Sequence, residues 1–435
     1  MTLGGLALAQ GGLQALAGPA QAWKTPPGYG PLSPVADENT GLPLIMLPDG
    51  FRYVSFGWTR DPMDDGVLTP PAHDGMAVVE AGHSRLVLVR NHEVRGRAAA
   101  YTPNRSITYD PNAGGGTTNL TFDTRQGQWH EAWSSLAGTT TNCAGGATYA
   151  KSWLTCEETL DVYDKPHGWV FEVPAAHQAV PAPLKAMGRF VHEAVAVDRQ
   201  SGIIYETEDR GTAGLYRFLP ADKNRLDKGG RLQMLKVVGT YQADLRGSVG
   251  VGSTFPVEWV DIHDPERAHS PGTSNTLGVF RQGFDQGGAV FSRLEGASYN
   301  PKNQRVYIVS TDGGQSREGQ VWEYYPRDAQ LRLVFESSGG EELDNPDNIG
   351  TSADGDIVLC EDGDLSGQRL QGLSLDGQVF PIARNNVVLH GEKNGFTGDF
   401  RGFEWAGATW SPDGKWLFAN IQTPGITFAI TGPWR

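Results

Sequence analysis

One hairpin recurs six times along the chain, and no other feature restricts the fold as much. The copies are "HDGMAVVEAGHSRLVLVRNHE" from His73, "NCAGGATYAKSWLTCEE" from Asn142, "HEAVAVDRQSGIIYETED" from His192, "LEGASYNPKNQRVYIVSTD" from Leu294, "PDNIGTSADGDIVLCED" from Pro346 and "EWAGATWSPDGKWLFANIQ" from Glu404. In each, a polar or metal-competent residue opens a strand of small side chains. A turn, often of the Asp-Gly kind, then reverses the chain, and a bulky apolar strand returns to a polar end. A single hairpin of this kind cannot bury its own apolar face, so the copies must pack on one another.

Most copies are followed by a third strand rich in aromatics, as in "GWVFEVP", "GLYRFLP", "GQVWEYYP" and "TFAITGPW", and some by a fourth, as in "RLQMLKVV" and "LRLVFESS". Four antiparallel strands repeated at this spacing predict an all-β chain, a six-bladed β-propeller. The 57 glycines agree with a chain of many turns. The gap between the third and fourth copies is about twice the others and holds "GSVGVGSTFPVEWVDIHDPERAHSPG", read as an inserted loop over one mouth. The last copy is short of a strand, which "PDGFRYVSFGW" near the N-terminus is placed to supply, closing the ring. No long amphipathic helix marks a separate domain, so residues 23–435 form one propeller domain. Residues 1–22, apolar and ending in Ala20-Gln21-Ala22, are read as an export signal or N-terminal tail.

A formal net charge of -14 without a basic block argues against nucleic acid as a partner and favours cations. No run is long and apolar enough to span a bilayer. Three cysteines are too few, and odd in number, for a disulfide framework. A monomer is expected.

In a propeller the inner strands converge on a central channel, so residues at matching strand ends meet although far apart in sequence. The strands start at Asp74, Cys143, Glu193, Glu295, Asp347 and Glu404. They return to Glu93, to Glu157 and Glu158, to Glu206 with Glu208 and Asp209, to Asp312, to Glu361 with Asp362, and to Gln422. So many carboxylates at one mouth need compensation, and cations are the usual solution. Carboxylates suit calcium, whereas the Cys143 thiolate suits a transition metal. At any one position a plain turn acid or a small buried cysteine remains the alternative; the recurrence is what favours a site. Cys156 and Cys360 occupy matching places and read as packing residues between blades. Arg293, two residues before Glu295, is either a clamp for phosphate or carboxylate or an ion-pair partner of a neighbouring acid. "GGATYAKS" imitates a phosphate-binding loop but lies between two strands, and "HEAVA" lacks the second histidine of a zinc-protease helix.

At these residues the sequence resembles the PhoX-type alkaline phosphatase family. The matching elements are "HDGM", "RNHE", "GGTTNLTFD", "TNCAGG" with "WLTCEE", "GRFVHEA" with "YETED", "RLEG", "NPDN" and "EWAGATWSPDGKWLFANIQTPG", over roughly residues 45–434. The resemblance implies hydrolysis of phosphate monoesters with ferric iron, Fe(III), and calcium, Ca2+, at a propeller mouth. It also implies export by the twin-arginine route to the periplasm or beyond. Cys143 would bridge the irons; Glu158, Glu193 or Glu208, Glu295, Asp347 and Glu361 would be ligands, and Arg293 a phosphate clamp. Asp74, Glu93 and Glu404 match family positions without an assigned ion. The alternatives are a calcium-stabilised binding module, which has no need of the Cys143 thiolate, and a metal-dependent diesterase or lactonase.

Overall fold

The computed structural model describes residues 28–268 and 278–434. The segment 1–22 therefore lies outside the described residues. Six antiparallel meanders follow one another. Their inner strands, His73–Ala81, Asn142–Ala147, His192–Val197, Leu294–Asn300, Pro346–Thr351 and Trp405–Trp410, touch in that cyclic order, the last returning to the first. Each inner strand pairs with the returning strand of its own hairpin, and a third strand pairs outside that.

Six apolar cores lie between neighbouring blades. The first and second blades share Val89, Leu136, Trp153 and Phe171; the fifth and sixth share Val358, Leu370, Trp405 and Phe428. These layers bury both faces of every sheet, which is why the returning strands read as continuous apolar runs. The ring is tight where its inner strands meet. A Cβ at Gly146 would lie 2.0 Å from Val195 O in the next blade, and one at Gly407 would lie 2.6 Å from Asp74 O across the junction of last and first blades. Small side chains of the inner strands line a channel of about 250 Å³.

The N-terminal strand Arg52–Phe56 is the outer strand of the last blade, paired from Thr427↔Phe56 to Thr431↔Arg52. Arg90, fully buried, fastens this junction: it donates to Gly57 O at 3.3 Å, Thr427 Oγ1 at 2.7 Å and Thr118 Oγ1 at 3.2 Å. Ile45–Leu47 and Ser33–Val35 extend the fifth blade.

The segment between the third and fourth hairpins differs from the loop expected. Thr254–Asp261 is a strand that pairs with Gly230–Val237 on one side and Gln330–Glu336 on the other, joining two blades into one nine-stranded sheet. Its backbone pairs with two blade edges that would otherwise be open, so it lies at the rim of the ring and not over the mouth. The α-helix Val279–Phe284 follows it, and residues 269–277 lie outside the described residues.

Candidate metal centre

Every inner strand carries a bulge near its start. In the first five the register slips between His73 and Met76, Asn142 and Gly145, His192 and Val195, Leu294 and Ala297, and Pro346 and Ile349. The second residue of each strand, Asp74, Cys143, Glu193, Glu295 or Asp347, falls inside the bulge and is released from the pleat. The sixth strand keeps Ala406 paired at that place and bulges one step later. Its carboxylate comes instead from Glu404, one residue ahead of the strand. Four of the residues that precede these strands, Ala72, Thr141, Arg293 and Asn345, adopt left-handed φ of 52, 50, 43 and 42°. Such conformations cost of order 1 kcal/mol each in non-glycine residues and persist where surrounding structure dictates them.

The bulged residues are held by the preceding blade. Asn91 Nδ2 donates to Cys143 O at 2.9 Å and Ala144 O at 2.8 Å; Thr207 Oγ1 donates to Glu295 O at 2.6 Å; Asn420 Nδ2 donates to Asp74 O at 2.6 Å. Cys156 and Cys360 stand at the matching places of the second and fifth blades, buried and unbridged, as the packing reading expects.

A second set of side chains enters just beyond the returning strands. The backbone N–H groups of Glu93, Glu158, Asp209 and Asp362 each donate to the residue before the inner strand of their own blade, so these four acids stand at one level. Three groups of possible ligand atoms result, all atoms within 4.8 Å of one another in each: Asp74, Glu93 and Cys143; Cys143, Glu158 and Glu193; Asp347, Asp362 and Glu404. Cys143 belongs to two of them.

The crowding shows in the acidities. Burial, then the charge of Asp347, raises Glu193 well above the usual carboxylate range, and burial followed by Asp347 does the same for Glu295. Glu93 is pushed up to about 7, chiefly by burial. Burial and the surrounding carboxylates, Asp74 first, raise the Cys143 thiol. Asp74 Oδ2 and Glu193 Oε1 are buried without a hydrogen-bond partner. Orphaned buried carboxylate oxygens beside a thiol are a donor set that fits cations: hard oxygen ligands on all sides, one soft ligand shared between two groups.

Two of the residues expected as ligands stand elsewhere. Glu361 accepts from Arg369 Nη2 at 2.7 Å, Arg369 Nε at 2.8 Å, Gln371 Nε2 at 3.1 Å and two backbone N–H groups of its own blade. Glu208 Oε2 accepts from Tyr216 Oη at 2.8 Å and Gly214 N at 3.0 Å. Glu157 repeats the pattern with His167 Nδ1 at 2.6 Å. The reason is strand alternation: in Glu157-Glu158, Glu208-Asp209 and Glu361-Asp362 the first acid still pairs within the sheet and braces its blade, and the second turns into the mouth. Asp209 and Asp362 therefore enter the mouth where Glu208 and Glu361 were expected, Asp362 within a ligand group and Asp209 on Arg293, and the doublet itself was the available signal.

Two guanidinium groups stand among the acids. Arg293 Nε and Nη2 donate to Asp209 Oδ1 at 3.0 Å and Oδ2 at 3.2 Å, and Nη2 also contacts Glu295. Arg293 thus pairs with neighbouring acids, as the ion-pair reading expects, and stays 41% exposed. Arg95, which the strand-end pattern does not single out, contacts Glu93 and Glu158.

Fold and site define an all-β propeller that gathers carboxylates, one thiol and two guanidinium groups at one mouth. The family model described as alkaline phosphatase PhoX matches residues 27–134 and 130–425. The chain belongs to that family. Among solved structures it is similar to PhoX of Pseudomonas fluorescens in complex with vanadate, a transition state analogue, at 16% identity and a TM-score of 0.66, covering 92% of this chain and 98% of that one. A weaker likeness, TM-score 0.36 at 12% identity over 81% of this chain and 78% of the other, is to a Bacteroides uniformis protein named as a candidate 6-phosphogluconolactonase. No curated protein sequence matches the chain.

Proposed function

We propose that the protein is a metal-dependent phosphatase that hydrolyses phosphate monoesters with ferric iron and calcium held at the propeller mouth, and that it acts after export to the periplasm or beyond. The observation that carries this reading is the sharing of Cys143 between two acid groups, with a half-exposed Arg293 beside them. Family membership supports the phosphatase chemistry. The thiol favours iron within a set of oxygen ligands otherwise suited to calcium.

Asp74, Glu93, Cys143, Glu158 and Glu193 would hold ions on one side of the mouth, and Asp347, Asp362 and Glu404 on the other. Bound cations supply Lewis acidity toward phosphoryl oxygens. Arg293 supplies fixed donors where negative charge grows on the transferring group, and Asp209 and Glu295 hold its guanidinium in place. Asn91, Thr207 and Asn420 fix the backbone of Cys143, Glu295 and Asp74 so that the constellation is set before substrate arrives.

Elemental analysis of protein purified without chelator, together with hydrolysis of an aryl phosphate monoester, tests this. Iron and calcium are both expected, with a visible thiolate-to-iron absorption that Cys143→Ala abolishes. Arg293→Ala should keep the metals and lower turnover by about 10²- to 10³-fold, whereas Glu193→Ala, which removes a residue of a ligand group, should lose metals and activity together. An absence of monoesterase activity with both metals supplied refutes the reading.

A further inference from the structure

The two mouth arginines are related in a way the metal groups do not require. Arg293 belongs to the fourth blade and reaches an acid of the third, Asp209; Arg95 follows the returning strand of the first blade and reaches an acid of the second, Glu158 Oε2 at 3.3 Å. The arginines spring from facing blades, but the acids they reach lie on adjacent ones, the second and third. We infer that Arg95 is a second phosphate-gripping residue, whose guanidinium converges with that of Arg293 on neighbouring acids, Glu158 and Asp209, and that the pair makes the site selective for phosphate monoesters over diesters. The inference rests on the phosphatase reading above.

Arginines with a bracing role in this protein are bonded on several sides and little exposed, Arg90 fully buried and Arg369 18% exposed. Arg95 is different: it is 66% exposed and touches both acids through the single nitrogen Nη2. Those acids, Glu93 and Glu158, are one member of each group that shares Cys143. A cation held in either group takes the carboxylate oxygens that Arg95 now contacts. The guanidinium, on a long and exposed side chain, then pairs with the next anion to enter the mouth. That anion is the substrate's phosphoryl group.

Two guanidinium groups converging on one anion suit a dianion with more free acceptor oxygens better than a monoanion with one bulky substituent more. A monoester is such a dianion at alkaline pH, and a diester carries one charge and loses an acceptor to its second substituent. Arg95 would discriminate by the difference between the two.

The test compares parent, Arg95→Ala, Arg95→Lys and Arg293→Ala, each supplied with iron and calcium. The measurements are kcat and KM for an aryl phosphate monoester and a bis-aryl diester, calorimetric binding of inorganic phosphate, and metal content. Arg95→Ala should retain its metals, bind phosphate about tenfold more weakly, raise KM for the monoester and lower the monoester-to-diester ratio of kcat/KM about tenfold, with Arg95→Lys restoring part of each. Metal loss in step with activity overturns the inference by making Arg95 a brace for Glu93 and Glu158. Unchanged phosphate binding and an unchanged ester ratio overturn it by making Arg95 a surface ion pair. Should Arg95→Ala not fold, Arg95→Lys and Arg95→Gln carry the same comparison. A parent that hydrolyses neither ester refutes the phosphatase reading itself, whereas an active parent matched by an equally selective Arg95→Ala refutes the role of Arg95 alone.

Discussion

Adjacent acids at the ends of the returning strands do opposite work. Glu361 is buried among five donors of its own blade, and Asp362, one residue on, joins Asp347 and Glu404 at the mouth. Glu361→Ala takes from Arg369 and Gln371 their carboxylate acceptor, leaving backbone carbonyls as partners, which should cost about 3 kcal/mol of stability, with cation affinity in the folded protein little changed. Asp362→Asn should do the reverse, weakening cation binding while the metal-free protein unfolds at or above the parent's denaturant midpoint. Parallel denaturation and calcium titration of the two variants check this, and equal loss of cation affinity in both would mean that the alternation has been misassigned. The residue types of the site are legible in the sequence because few other roles put an acid or a thiol at the same end of hairpin after hairpin. Which member of a doublet faces the mouth is not, since it depends on where pairing stops, and pairing stops at the backbone bond from Asp362 N to Asn345 O, which no side chain announces. Arg95 was missed for a similar reason: it lies beyond the strand end, where period-two reading has no purchase.

The hairpins themselves are the most legible elements, because small residues on one strand and bulky ones on the next are what a strand beside the channel and a strand between two cores require. Glycines at the inner strands read as turn-rich composition, whereas the structure uses them for contact between blades. Gly146→Ala would drive a Cβ to 2.0 Å from Val195 O, and since that neighbour is backbone, the second and third blades must part. The expected cost is about 3 kcal/mol, accompanied by weaker cation binding, because Cys143 and Glu193 sit on the two strands forced apart. Gly211→Ala, where a Cβ meets nothing within 4 Å, is the control and should unfold with the parent. Calorimetric melting of both variants decides the matter; a Gly146→Ala protein as stable as the control would mean that the ring is looser than its contacts imply. The bulges that free Asp74 to Asp347 from the pleat left no trace in the hydrophobic pattern, because a bulge is one extra residue in a strand whose side chains are too small to show a change of phase. The strand Thr254–Asp261 was read as loop for a related reason: its partners are two outer strands almost a hundred residues apart, so no hairpin turn advertises the pairing.

At the scale of the whole molecule, closure of the ring and occupation of its mouth oppose one another. Six cores and the Arg52–Phe56 strand draw the blades together, and doing so presses Asp74, Glu93, Glu158, Glu193, Glu295, Asp347 and Glu404 into a space where they cannot all carry charge. The sign of the consequence follows from the direction of the shifts. Carboxyl groups raised in the folded state, with Glu93 taken from an ordinary 4.5 to about 7 by burial, bind protons more readily folded than unfolded. Stability therefore falls as pH rises between those values, being fully present below about 4.5 and lost as pH passes about 7. Cations take the place of the protons and reverse the trend, because they bind the charged carboxylates and so bind better as pH rises. The chelated protein should lose several degrees of melting temperature between pH 5 and pH 8, and calcium with iron should abolish most of that loss. Potassium chloride at equal ionic strength should restore little of it, since screening acts weakly on buried charges. A chelated protein whose melting temperature is flat across this range, or one rescued equally by potassium chloride, would show that the acids of the mouth are not the groups that set the pH dependence, and that cations are not what the closed ring is built to receive.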